Sequence, residues 1–160
     1  MRIGIGYDTH RLVPTIERSS IPIGGVALPC HFRIEAHSDG DVLLHAVIDA
    51  CLGALALGDI GQWFPDSDPA HRGRASAEMV GEVLAKISSL GWRVSQLDTI
   101  VLLEEPKLFP HSDAIRRSLA KLFGTELTSV SVKAKSMEGL GPVGERRAMA
   151  AHAVAVLERA

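Results

Sequence analysis

The sequence predicts an α+β (mixed α/β) fold. It should form one domain, a two-layer sandwich whose mixed sheet is covered on one face by helices. Three observations point there. Strand-like alternation recurs at residues 2–7, 97–103 and 130–134. Runs with a period near 3.6 lie at residues 40–57, 76–90 and 112–123. A Gly24-Gly25 pair sits between two short β-rich arms, as in a hairpin. With 160 residues, 46% hydrophobic and 22% charged, the chain can bury one core. Residues 1–160 therefore read as a single domain, without repeats or low-complexity stretches.

Ile3, Ile5 and Tyr7 alternate with small or polar residues, which makes residues 2–7 a strand. Residues 10–20 read as a loop around Pro14. Residues 21–23 and 26–28 read as hairpin arms, with Pro22 demoting its arm to an edge or a strand start. Residues 30–36 are ambiguous. Ser38-Asp39-Gly40-Asp41 is a helix-start signal: Ser38 or Asp39 can cap, and Asp41 suits the positive end of the helix dipole. The helix runs over residues 40–57, is apolar nearly all round, and is stopped by Gly58. Residues 58–74 form a polar, turn-rich connection. A second helix follows at 76–90, then a strand at 97–103 and a helix that Ser112 caps and Gly124 ends. After a strand at 130–134 comes a glycine-rich segment, and an alanine-rich helix closes the chain at 146–159. The second half is thus a β-α-β-α unit. Its helices cover one sheet face, and the other face needs a partner, which predicts a homo-oligomer.

Several function classes are excluded. A net charge of −2, no Lys/Arg run and only 4% aromatic residues argue against a nucleic-acid surface. The longest apolar run, residues 42–57, carries His45 and Asp49 and is too short to span a bilayer. The opening stretch lacks the apolar or Arg/Ser-rich character of a targeting segment. Cys30 and Cys51 have neither metal nor framework spacing, which suits a reduced, cytoplasmic setting.

The chemistry-bearing residues gather in two stretches. Asp8 and His10 are two apart at the end of a strand, so both point the same way. His45 lies in the second turn of the first helix. Two imidazoles and a carboxylate are a usual zinc set with one position open. Alone, Asp8-x-His10 is more often a turn residue beside a surface or satisfied core histidine than a metal site. What favours a metal is the company of Asp41, His45 and Asp49, which share one stripe of a buried helix and need partners there. Asp49 either orients His45 or bonds a neighbouring backbone group.

Read together, Asp8-x-His10, His37-Ser38-Asp39-Gly40-Asp41, His45, Gly58-Asp59-Ile60-Gly61 and Phe64-Pro65-Asp66-Ser67-Asp68 closely resemble the motifs of the 2-C-methyl-D-erythritol 2,4-cyclodiphosphate synthase family. The resemblance covers about residues 2–158. It implies an enzyme of the non-mevalonate isoprenoid route, a lyase that cyclises 4-diphosphocytidyl-2-C-methyl-D-erythritol 2-phosphate and releases CMP. It implies a homotrimer packed through its sheets, with active sites between subunits. Asp8, His10 and His45 match the ligands of a divalent metal, zinc foremost. A second cation, magnesium or manganese, accompanies the substrate diphosphate. His37 and Ser38 match phosphate contacts. Asp59, Ile60 and Gly61 match residues around the methylerythritol unit, and Phe64, Pro65, Asp66, Ser67 and Asp68 match the adjoining loop. Leu103, Glu104, Glu105, Pro106, Lys107 and Leu108 match the cytidine pocket. Ala134, Lys135, Ser136, Met137 and Glu138 match the segment at the CMP phosphate and cytosine, with Ser136 keeping a hydroxyl where the family has threonine. The sequence departs at Glu145, which stands at the position of a family arginine that meets an isoprenoid diphosphate in the trimer's central cavity; Arg146 and Arg147 follow it. Two other functions fit the metal motif: a zinc phosphohydrolase, and an oligomeric binding protein with structural zinc, which needs four protein ligands.

Overall fold

The first strand, β1 (Arg2–Ile23), is far longer than its alternation suggested in the computed structural model, which describes residues 1–160. It serves two partners in turn. Residues 2–11 pair antiparallel with β5 (Ala148–Arg159), and residues 11–23 pair antiparallel with β2 (Val26–Glu35). The loop expected at 10–20 is therefore strand. Its alternation is hidden by a register shift between Pro14 and Ser19, where the extra residues bulge outward and Ile16 is fully exposed. Pro22 lies where β2 is the only neighbour, the edge position expected of it. Gly24 and Gly25, both with positive φ, turn the hairpin.

The helix expected at residues 146–159 is the largest correction. Those residues form β5, at the centre of a five-stranded sheet of order β2-β1-β5-β3-β4, with β3 being Trp92–Leu102 and β4 Val130–Lys135. Alanine's helix preference is overridden by what lies above the strand. Met149, Ala151, Ala153, Ala155 and Leu157 are buried at period two, beneath helix α1 (Val42–Ala54). On β1 the approach is closer still. A Cβ built on Gly4 would stand 1.9 Å from the Ala50 carbonyl oxygen, and one on Gly6 1.9 Å from that of Ala46. Small residues on both strands let a helix backbone rest on the sheet. The last two elements are thus β4 and β5, joined through the short helix α5 (Gly141–Gly144), and the expected β-α-β-α unit is β-α-β-β.

Helix α1 starts and ends inside its expected 40–57 span. Its cap is Asp41, not Ser38 or Asp39: the carboxylate accepts from the N–H groups of Leu43 and Leu44. It also accepts from Gly24 and Gly25, at 2.8 and 2.7 Å, so one side chain joins the helix start to the hairpin. Burial pushes the Asp41 carboxyl above its ordinary value, and these N–H groups pull it back. Left-handed Ala56 turns the chain before Gly58 is reached. The 58–74 connection holds one helical turn, α2 (Ile60–Trp63), and a 3-10 turn. Helix α3 (Ser76–Ser89) is as expected. Helix α4 (Ser112–Phe123) crosses between the parallel strands β3 and β4; Ser112 does not cap it but donates back to the Leu108 carbonyl at 3.2 Å, and left-handed Gly124 ends it.

The core lies between the sheet and α1, α3 and α4. The opposite sheet face is bare: Ile3, Ile5 and Tyr7 are 61%, 74% and 52% exposed. Cys51 is buried, which pushes its thiol up to about 12, and both cysteines are free. No helix is long and apolar enough to cross a membrane.

Candidate metal centre and active site

From Gly4 to Leu12, before the bulge, the even-numbered residues of β1 turn toward the helix side of the sheet. After Gly4 and Gly6 come Asp8 and His10, just where the helix begins. The glycine contact at Ala46 therefore sets the distance from both side chains to His45, one residue away on α1. Asp8, His10 and His45 place their ligand atoms within 4.8 Å of one another. The Asp8 carboxylate is 3.0 Å from His45 Nδ1 and 3.5 Å from His10 Nε2.

The hydrogen bonds fix which ring atoms are free. His10 Nδ1 lies 2.7 Å from the Thr9 carbonyl, which can only accept, so Nδ1 carries the proton. His10 Nε2 is then left with a lone pair, buried and without a hydrogen-bond partner. A buried orphan acceptor beside a carboxylate and a second imidazole fits a divalent cation.

Asp49 bonds a backbone group rather than His45, accepting from the Ile60 N–H at 2.7 Å. Burial raises its carboxyl above the ordinary value, that N–H lowers it, and Asp59 and Asp8 raise it further. Asp49 thus ties the start of α2 to α1 at the floor of the site.

A cleft of about 490 Å³ opens over the cluster. Asp8, His10, His45, His37, Ser38, Ile60, Gly61, Phe64, Pro65 and Asp66 line it, which brings these sequence-predicted residues together. His37 Nδ1 stands 3.4 Å from Asp66 across the mouth. The His37 carbonyl accepts from the Gly73 N–H and the Asp39 N–H donates to the Arg74 carbonyl, so the 64–74 loop is pinned to the 37–39 segment. Asp59 turns aside and accepts from the Gln62 backbone and side chain, at 2.9 and 2.7 Å. Ser67 and Asp68 lie outside the lining, and Asp68 caps the next turn through the Ala70 N–H.

The other predicted segments lie elsewhere. Asp8 pairs with Ala151, Ala151 with Val101, and Val101 with Ala134. Three strand spacings, about 14 Å, separate the metal cluster from Ala134. Residues 134–138 are exposed. The Met137 N–H donates to Glu104 at 2.6 Å and Ser136 donates to Glu138 at 3.0 Å. Leu103 is tied to Lys135 by a backbone bond of 3.0 Å, so residues 103–108 and 134–138 form one patch. Beside it, Arg146 meets Glu105 at 3.2 Å and Arg147 pairs with Glu145.

Sequence reasoning missed Glu35, Ala36, His71 and Met79 in the cleft lining. His71 stands edge-on to Phe64, 5.5 Å between ring centres, and its Nδ1 is buried without a partner. It also missed Ser76, whose hydroxyl is 2.8 Å from His45 Nε2. The only signal for Ser76 was its place at a helix start, and nothing in its spacing pointed to a ring 31 residues away.

The family model described as the YgbB family matches residues 1–158. A 2-C-methyl-D-erythritol 2,4-cyclodiphosphate synthase of Gloeobacter violaceus is 50% identical over 158 residues, covering 99% of this chain and 95% of that protein. The synthase of the same name from Pseudomonas fluorescens is 46% identical over 159 residues, 99% of each chain. A solved 2C-methyl-D-erythritol-2,4-cyclodiphosphate synthase in a CDP-bound form superposes with a TM-score of 0.89 at 36% identity, over 98% of this chain and 100% of that one. The chain belongs to the YgbB family.

Proposed function

We propose that this chain is a 2-C-methyl-D-erythritol 2,4-cyclodiphosphate synthase, a CMP-releasing lyase of the non-mevalonate route to isoprenoids. The observation that carries the reading is the Asp8, His10 and His45 cluster, with its orphan His10 Nε2, at the floor of a cleft in a chain 50% identical to a synthase of that name. In the reaction, an oxygen of the substrate's 2-phosphate forms a bond to the β-phosphorus. The bond from that phosphorus to the oxygen bridging it to the α-phosphorus breaks, and its electron pair leaves with CMP. No protein nucleophile is needed, so catalysis is positioning and charge neutralisation.

Asp8, His10 and His45 hold the metal, and His45 presents Nδ1 to it. Zinc suits this donor set, and when bound it supplies Lewis-acid neutralisation of charge on the phosphoryl oxygens. A magnesium or manganese ion would accompany the substrate diphosphate and add to the neutralisation of its charge. His37 and Ser38 bind the phosphate from the cleft mouth. The backbone at Ile60 and Gly61 and the loop at Phe64, Pro65, Asp66, Ser67 and Asp68 enclose the methylerythritol unit, with Asp59 at its edge. Residues 103–108, Lys107 among them, and 134–138 hold cytidine and the CMP phosphate. That patch lies about 14 Å from the cluster, so the pocket is completed by the same patch of a neighbouring copy. The bare Ile3, Ile5 and Tyr7 face supports a homotrimer packed through its sheets. The two free cysteines suit a reducing, cytoplasmic setting.

Phosphorus NMR of the purified protein with zinc, magnesium and the cytidylyl 2-phosphate substrate tests the reading. A cyclic diphosphate and CMP are expected. A linear product would instead support a metal phosphohydrolase, and no turnover would overturn the assignment.

A further inference from the structure

The environment of His45 Nε2 contains one more decision than the metal needs. Ser76 is fully buried at the start of α3, and its hydroxyl oxygen lies 2.8 Å from Nε2. That hydroxyl has a single proton, and it is donated to Asp39 Oδ1. Asp39 is held in place by two further donors, the Ser76 N–H at 3.0 Å and the Asp41 N–H at 3.2 Å. A hydroxyl that gives its proton to a carboxylate can only accept from the imidazole. Nε2 must therefore carry a ring proton, which leaves Nδ1, 3.0 Å from the Asp8 carboxylate, as the nitrogen a cation would take.

The same bookkeeping reaches Ser38. Its oxygen is 3.2 Å from Nε2 and accepts from the Gly40 N–H at 3.1 Å. With a proton already on Nε2, Ser38 cannot donate to the ring. Its own hydroxyl proton is then free to point into the cleft that Ser38 lines.

We infer that Asp39 and Ser76 are positioning residues for the metal centre: through one hydroxyl they hold a proton on His45 Nε2, so that Nδ1 is the nitrogen offered to a cation, and they keep the Ser38 hydroxyl available as a donor to a substrate phosphate. The relay also ties the metal ligand to the loop over the cleft, because Ser76 directly follows that loop and Asp39 is bonded to its Arg74. The metal half of this inference rests on the proposed function. The tautomer half stands without it.

The test uses five proteins: the parent, Ser76→Ala, Asp39→Ala, the double variant, and Ser76→Thr as rescue. In metal-free protein, nitrogen-15 NMR of His45 should show a protonated Nε2 in the parent and in Ser76→Thr, and a form with the proton on Nδ1 and a bare Nε2 in the alanine variants. Zinc affinity, measured by chelator competition, should fall about 10- to 100-fold in each single variant. The double variant should fall no further than either single one, because the two residues act as one relay. Melting curves confirm that each variant is folded. A bare Nε2 in the metal-free parent overturns the inference. So do variants that melt earlier yet keep the parent's tautomer and zinc affinity, which would make Ser76 a helix-start residue only. A parent with the expected tautomer that takes up no zinc sinks the metal reading and leaves the relay standing.

Discussion

Asp8, His10 and His45 stand on a strand and a buried helix pressed together without side chains between them, and almost every polar atom around them has a named partner. Residues 103–108 and 134–138 are built the other way. They lie at strand ends, residues 134–138 are exposed, and Ser136 and Met137 donate to Glu138 and Glu104 within the patch. The first region is finished by its own chain, so its geometry can be demanding. The second offers main-chain groups and short side chains to something outside the chain, so it tolerates changes of side chain. That contrast explains why the family resemblance is intact at residues 8–68 and departs at residues 134–147. It also explains why the proposed pocket needs a neighbouring copy.

The comparison can be broken most directly at His45. His45→Ala should lose bound zinc and about 10³-fold or more in turnover, with its melting curve little changed. Metal analysis and phosphorus NMR check this, and full activity after metal stripping would end the distinction between the regions. Next is Gly6→Ala, which leaves every ligand in place. Its new Cβ meets the Ala46 carbonyl at 1.9 Å, so α1 must lift. We expect about 3 kcal/mol of lost stability in urea unfolding, together with weakened zinc binding. Stability lost with zinc affinity intact would show that the centre does not depend on this contact. In the second region, Ser136→Ala should raise KM about tenfold, the size of one lost hydrogen bond to a charged group. Zinc content and oligomeric state should not move, and an unchanged KM would remove Ser136 from the pocket.

The smallest effect belongs to the bare sheet face, where Lys133 donates to Asp98 at 2.7 Å. That hydrogen bond holds the Asp98 carboxyl below its ordinary value of 3.8, and burial opposes it. The folded-state value is the lower one, so the pair stabilises above pH 3.8 and its contribution is lost as pH falls through the folded value. Lys133→Ala should cost less than about 1 kcal/mol at pH 7 if the pair remains solvated, and the difference from the parent should shrink in acid. A larger, salt-insensitive loss would show the face to be covered in the assembly.

Much of the first region was legible in the chain. Period two placed Asp8 and His10 on one side of a strand, and the apolar stretch after Asp41 made a buried helix plain. What stayed hidden depends on contacts between distant residues. Ser76 and Asp39 are 37 apart, and no local pattern joins them. Asp41 rather than Ser38 became the cap because the hairpin glycines supply two more N–H groups to the same carboxylate. The strand β5 was read as a helix because alanine favours helices, while its period-two burial arises only once α1 lies on top of it. Residues 10–20 were read as a loop because a bulge breaks the alternation of β1.

The bare glycines of β1 carry a last consequence. On this strand, even positions hold Gly4, Gly6, Asp8 and His10, and odd positions hold Ile3, Ile5, Tyr7 and Thr9. A slip of one residue against β5 would exchange the two sets. It would carry the metal ligands to the far face and thrust Ile5 and Tyr7 into the helix backbone, where not even a methyl group fits. The misaligned chain could not close its core. Seating α1 on Gly4 and Gly6 and assembling the ligands thus depend on one and the same strand register.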